Sequence, residues 1–206
     1  MAQCIRMVKT MTNIAWSGGE EYRSKCVVGL ERDGVLNEYL DYCAKPDDFK
    51  EIPNSIQAVV TLRNKGYKIV IITDQRGVDQ GHMTKEDVEA VNDVLMQSLG
   101  KAGCFDIDGL YYSIGTTKPD PWVKPNTGMF KRCEKEHPDI KFKTGYYVGH
   151  TIRDLKAAVA VGAKPVLVRT GKGVETEQEL TKWTYRELKK RTIIFDNLDE
   201  FAKYMK

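Results

Sequence analysis

Residues 68–73, Lys-Ile-Val-Ile-Ile-Thr, narrow the fold of this chain more than any other segment. The run is short, β-branched and almost wholly apolar, which predicts a strand covered on both faces, and strands of that kind belong to parallel sheets flanked by helices. The stretches on either side have a helical period. Residues 54–65 carry Ile56, Val59, Val60 and Leu62 on one face and stop before Gly66, which predicts a helix. Thr84 followed by Asp87 is a capping pair opening a helix to about Leu99, with Gly100 and Gly103 closing it.

The alternation runs to the end of the chain. Strands are predicted at 109–113, 145–149, 164–168 and 192–195, and helices at 127–136, 152–161 (capped by Thr151), 178–190 and 198–204. Strands separated by helices of this length imply right-handed crossovers and a mainly parallel sheet, so the expected class is α/β, a Rossmannoid three-layer sandwich with helices on both faces. A chain of 206 residues fits one such domain, placed at 25–206 behind an N-terminal arm at 1–24. Short connections leave room for only a minimal cap, so the crevice is expected to be open.

The apolar run at 26–30 feeds directly into Glu31-Arg32-Asp33-Gly34-Val35-Leu36-Asn37. It predicts a buried strand that delivers two carboxylates, Glu31 and Asp33, to a loop at its carboxyl end, where open parallel sheets bind ligands. Residues two apart on an extended segment point the same way, so one carboxylate can attack phosphorus while the other moves protons or holds a metal. Further polar stations follow at Thr73, Lys124, His150 and Asp154. A hydroxyl and a lysine near paired carboxylates suit a phosphoryl group, and carboxylates at two strand ends suit Mg2+ with several retained waters.

With these stations in place the chain resembles the haloacid dehalogenase superfamily of phosphohydrolases, in its heptose bisphosphate and histidinol phosphatase branch. The resemblance covers residues 27–173 and rests on four segments in order: LERDGVLN, IITDQRGVDQGHMT, VKPNTGMF and YYVGHTIRDLKAAVAVGAKPVLVRTGKG. It implies that Glu31 stands at the nucleophile, Asp33 at the general acid and base, and Thr73 at the phosphate-binding hydroxyl. Lys124 stands at the lysine that steadies nucleophile and phosphate, and Asp154 at the second acid of the last motif. The implied Mg2+ site would draw on Glu31, Asp33, His150 and Asp154. Asp74 and Arg76 stand beside Thr73 as further phosphate-binding candidates, where the family carries Asn and a small residue.

Two departures fall on the chemistry. Glu31 replaces an Asp, which moves the carboxylate by about one carbon-carbon bond, roughly 1.5 Å, where a 1 Å misplacement can cost about a hundredfold in rate. His150 replaces an Asp that ligates Mg2+, removing a charge from a hard-cation site. Between Tyr112 and Lys124 the chain has no Cys or His, where many members of the branch hold zinc. No zinc is therefore expected, only a loop stiffened by Pro119 and Pro121. From these departures the expected function is a catalytically degenerate phosphatase, a pseudoenzyme acting as a binding or structural subunit of a larger assembly with weakened Mg2+ binding. The alternative is a Mg2+-dependent phosphomonoesterase acting on a small phosphorylated metabolite through an acyl-phosphate intermediate.

Charge and cysteine content exclude other classes. The 32 basic and 29 acidic residues nearly cancel, and no long basic block marks a nucleic-acid partner. Five scattered cysteines show no zinc spacing and read as reduced thiols of an intracellular protein, cytoplasmic or mitochondrial, since residues 1–19 faintly resemble a presequence. No apolar run approaches a membrane span. Tyr111 and Tyr112 are expected to pack in a strand, and Trp16 and Trp183 are candidates for a protein partner if exposed.

Overall fold

The computed structural model describes residues 4–7, 26–116 and 120–206. Its strands are β1 (Cys4–Met7), β2 (Val27–Leu30), β3 (Lys68–Asp74), β4 (Gly109–Ser113), β5 (Tyr146–Gly149), β6 (Lys164–Val168) and β7 (Ile193–Phe195). They form one sheet in the order β1-β4-β3-β2-β5-β6-β7. β1 lies antiparallel to β4, with Cys4 opposite Ser113 and Met7 opposite Leu110. The other neighbours pair in parallel, as the covered, β-branched runs require.

The helices are α1 (Ser55–Asn64), α2 (Lys85–Lys101), α3 (Gly128–Glu136), α4 (Ile152–Ala160), α5 (Gly173–Glu179), α6 (Arg186–Arg191) and α7 (Leu198–Tyr204). Successive strand residues point to opposite faces, and the core divides accordingly. Val28, Leu30, Ile69 and Ile71 join a cluster with Val59, Val91, Leu95 and Phe201 from α1, α2 and α7. Val27, Val70, Ile72 and Tyr147 join another with Phe130 and Cys133 of α3 and Ala157 of α4. This is the three-layer sandwich expected from the alternation. Each fully buried Leu, Ile or Phe stabilises it by roughly 1.5–3 kcal/mol. Gly29, in the central strand, is obligatory for packing: a Cβ there would meet the Tyr147 ring at 2.8 Å.

Both predicted caps are present. Thr84 Oγ1 accepts from the Asp87 amide at 3.1 Å while Asp87 Oδ2 accepts from the Thr84 amide at 2.7 Å, so two otherwise orphaned donors are satisfied at the start of α2. Thr151 and Asp154 do the same for α4.

Two local differences appear. The helix predicted at 178–190 is instead α5, which begins earlier at Gly173, and α6, separated by a 3-10 turn at Trp183–Tyr185. Leu180 is buried against Leu155 and Leu167, and the chain tightens there through Thr181 and Lys182 amides that donate to Gln178 and Glu179 carbonyls. β1 was not anticipated, because Cys-Ile-Arg-Met is too short and too mixed to announce a strand without its partner. Apart from β1, the presequence-like segment lies outside the described residues, as do Trp16 and Pro119. Tyr111 and Tyr112 are fully buried, and Trp183 is exposed.

Candidate active site

The loops leaving β2, β3 and β5 border an open crevice of about 270 Å³ whose lining includes Glu31, Asp33, Asp74, Lys124, His150 and Asp154. Parallel strands with helical crossovers leave such a crevice beyond their carboxyl ends, which is why residues far apart in sequence meet here.

Glu31, directly after β2, is buried and held from three sides. Thr73 Oγ1 donates to Oε1, and the Lys124 ammonium is in contact with Oε2. The Tyr147 hydroxyl stands 3.2 Å from Oε2 and 2.6 Å from the Ile72 carbonyl, two acceptors that compete for its one proton, and it accepts from Lys124 Nζ at 3.0 Å. Burial pushes the Tyr147 phenol well above its ordinary range, so it stays a neutral hydroxyl.

Asp33 occupies a different environment. Arg32 Nη2 lies 3.1 Å from its Oδ2, Asn37 Nδ2 donates to Oδ1 at 2.8 Å, and Gln75 Nε2 donates to Oδ2 at 2.8 Å. Arg32 is fully buried, and its other arm donates to Asn92 of α2 at 2.8 Å. Gly34, at φ +74, lets the chain turn sharply behind the two carboxylates.

In the first turn of α4, just past β5, Asp154 has two tasks. Its Oδ2 closes the α4 cap, accepting from the Thr151 amide and hydroxyl and from the His150 amide at 3.0, 2.7 and 3.2 Å. Its Oδ1 accepts from Lys124 Nζ at 2.6 Å. Burial alone would raise the Asp154 carboxyl, but the Lys124 ammonium outweighs it and holds the group below the usual carboxylate range. Burial conversely draws Lys124 down from an ordinary lysine. His150 is buried beside Tyr39, ring centroids 5.3 Å apart, and its Nδ1 accepts from the Lys172 amide at 2.9 Å.

Asp74, the last residue of β3, accepts from the Lys124 amide at 3.3 Å through Oδ1, while its buried Oδ2 has no hydrogen bond. Arg153 Nη2 lies 3.8 Å from that oxygen. Burial pushes the Asp74 carboxyl up to about 7. Arg76 lines the same crevice.

The structure thus brings together every residue singled out from the sequence: Glu31, Asp33, Thr73, Asp74, Arg76, Lys124, His150 and Asp154. Arg32, Gln75, Tyr147 and Arg153 were not singled out. Arg32 and Gln75 lie inside the recognised segments, so their positions were in view and only their roles were not. Tyr147 and Arg153 lie inside the last recognised segment as well, and their roles were hidden because their partners come from β2, β3 and the loop before α3.

Glu31 and Asp154 offer oxygen donors of the kind magnesium takes, and a cation, the Lys124 ammonium, stands between them. Among the described residues no group of three or more carboxylate, imidazole or thiolate side chains is placed to hold a metal ion. Mg2+ does not require one, since it commonly binds one or two carboxylates and keeps its waters.

Residues 37–162 match the family model described as polynucleotide kinase 3 phosphatase. A D-glycero-beta-D-manno-heptose-1,7-bisphosphate 7-phosphatase of Pseudomonas putida is 33% identical over 175 residues, 84% of this chain and 95% of the relative. A protein of the same name from Pseudomonas aeruginosa is 33% identical over 180 residues, 87% of this chain and 97% of the relative. Among solved structures, the D,D-heptose 1,7-bisphosphate phosphatase of B. bronchiseptica, complexed with magnesium and phosphate, has a TM-score of 0.78 at 25% identity, covering 87% of this chain and 97% of that one.

These relatives correct the expectation of a degenerate phosphatase acting as a binding or structural subunit. Proteins similar over nearly their whole lengths are named as phosphatases. The physical reason is visible around Glu31: the longer side chain still reaches Thr73, Lys124 and Tyr147, so the added methylene has not detached the carboxylate from its partners.

Proposed function

We propose a function from one premise: the chain belongs to the haloacid dehalogenase superfamily and, within it, to the branch of the heptose bisphosphate phosphatases. The function is a Mg2+-dependent phosphomonoesterase acting on a small phosphorylated metabolite of the sugar phosphate class. The observation that carries it is the meeting of Glu31, Asp33, Thr73, Lys124 and Asp154 around one open crevice.

In this reading Glu31 attacks phosphorus as the bond to the leaving alcohol breaks, giving a glutamyl phosphate. Asp33 gives its proton to the leaving oxygen. It then takes one back from the water that cleaves the acyl phosphate, releasing inorganic phosphate and restoring Glu31. Arg32, Asn37 and Gln75 fix the direction of Asp33. Thr73 and Lys124 supply the hydroxyl and ammonium that accompany the phosphoryl group as charge moves onto its oxygens. Mg2+, for which Glu31 and Asp154 would serve as ligands among retained waters, would offset the negative charge of substrate and carboxylates.

The sugar phosphate class is supported by the activity for which the relatives are named and by a polar crevice whose lining includes Asp41, Arg76, Arg153 and Lys172, side chains suited to hydroxyls and phosphate. The test is Mg2+-dependent phosphate release from D-glycero-beta-D-manno-heptose 1,7-bisphosphate and a panel of sugar phosphates, with EDTA and Asp33→Asn as controls. Turnover that needs both Mg2+ and Asp33 is expected. Absence of turnover with every substrate would overturn the reading.

A further inference from the structure

We propose that His150 serves the site as an uncharged hydrogen-bond donor to a phosphoryl oxygen and does not ligate the cation, an assignment that rests on the phosphatase reading and deepens it. The Lys172 backbone amide lies 2.9 Å from His150 Nδ1. A backbone N–H can only donate, so Nδ1 must present its lone pair to it. An imidazole with its lone pair at Nδ1 carries its proton on Nε2, which then has no lone pair for a metal and can only donate.

The surroundings keep the ring in this orientation. A Cβ on Gly34 would fall 2.8 Å from the ring's Cε1 and Nδ1, and one on Gly171 would fall 2.6 Å from Nδ1. Both glycines have positive φ, +74 and +59, so the backbone geometry and the space each select glycine. The two loops are tied together by Thr170 Oγ1, which donates to the Gly34 carbonyl at 2.6 Å. The backbone of His150 is pinned on both sides, its amide donating to Asp154 Oδ2 at 3.2 Å and its carbonyl accepting from Thr176 Oγ1 at 2.8 Å. Turning the ring over would forfeit the Lys172 bond and bring a carbon to face that amide.

The position supplies what the anion lacks. Lys124 is in contact with two carboxylates, so part of its charge is already answered. A neutral N–H from His150, which lines the same crevice, adds a donor without a further charge to desolvate, and preorganised donors of this kind favour a phosphoryl group as its charge builds. A carboxylate at position 150 would recruit cation; histidine in this tautomer recruits anion.

The test uses the full-length protein labelled with 15N, with long-range 15N–1H correlation of the imidazole nitrogens. Expected are a protonated Nε2, an unprotonated Nδ1, no change at either nitrogen on adding Mg2+, and a shift of the Nε2 resonance on adding inorganic phosphate. A proton on Nδ1, displacement of the Nε2 proton by Mg2+, or an Nε2 indifferent to phosphate would each overturn the assignment. Kinetics supply a second arm. His150→Asn places an amide near the Nδ1 position only and should raise KM about tenfold, the worth of one hydrogen bond to a charged acceptor, with kcat less affected. His150→Gln, whose amide reaches the Nε2 position, should recover most of that loss. Wild-type KM in both variants sinks the assignment while leaving the phosphatase reading intact. A wild-type chain without any turnover sinks the phosphatase reading, and the tautomer and phosphate titration still decide the role of His150.

Discussion

Arg32 and Asp33 are sequence neighbours that meet side chain to side chain, the guanidinium fully buried and forked onto the carboxylate with Nη2 3.1 Å from Oδ2. Because its other arm is anchored on Asn92, the guanidinium ties the position of the Asp33 carboxylate, the proposed proton-transfer group, to α2. Arg32→Lys keeps the charge and loses the fork, so kcat should fall roughly ten- to hundredfold with KM little changed. Steady-state kinetics check it, and an unchanged kcat would remove Arg32 from this role.

Lys124 and its two carboxylates form a second unit. Lys124→Met would leave Glu31 and Asp154 buried without their cation, at a cost of about 3–5 kcal/mol. Asp154→Asn removes one of those charges and should cost less. The double variant should recover part of the Lys124→Met loss, since the charge left unpaired is smaller. Urea unfolding of the four proteins measures this coupling; strict additivity would contradict it.

Asp154 also sets the acid limb of stability. Its carboxyl is lowered in the fold, so it contributes stability that is complete above the unfolded-state value near 4 and is lost as pH falls through the folded value. Acid unfolding followed by circular dichroism should therefore be less steep in Asp154→Asn than in the wild type below pH ~4.

The opposite sign holds at Asp74, whose folded value is about 7. The native state binds a proton there that the unfolded state has released, so the group costs stability progressively between pH ~4 and ~7. Asp74→Asn should flatten that dependence and be more stable than wild type at pH 8, by on the order of 2 kcal/mol. Melting temperatures at pH 5 and pH 8 decide it.

The exposed cap of α2, whose side chains bond each other's backbone amides, provides a control. Thr84→Ala should cost about 1 kcal/mol and lower Tm by about 2–4 °C, with kcat and KM unchanged. A change in kinetics would mean that α2 reaches the site through more than Asn92.

The features legible in the sequence are those with local causes. Thr84 and Thr151 announce their helices because the bonding acid lies three residues on. The strands at 109–113 and 164–168 were read with the bounds they have, being apolar runs bounded by polar or turn residues. Glu31, Asp33, Thr73, Lys124 and Asp154 could be gathered because each leaves a predicted strand or lies in a recognised segment. Features that depend on distant partners were not legible. Nothing in Glu-Arg-Asp shows that Arg32 will be fully buried, since its anchor Asn92 is 60 positions away. His150 reads as a poor substitute for a metal ligand until the Lys172 amide, a backbone group that any residue would provide, is seen to occupy Nδ1. The break after α5 also follows from burial of Leu180 against Leu155 and Leu167, not from any helix-stopping residue.

The strand order has a consequence for how the chain acquires its shape. β2 lies between β3 and β5, so the central strand has one neighbour that follows it within 50 residues and another whose pairing aligns Gly29 with Tyr147. Glu31 and Thr73 can meet early, whereas Lys124 and Asp154 join them only after the later half of the sequence closes the sheet. Loop closure over such distances slows folding, and until it is complete one edge of β2 is unpaired. During synthesis, therefore, the crevice is among the last parts to form, and the nascent chain carries an open, apolar sheet edge for as long as β5 is awaited.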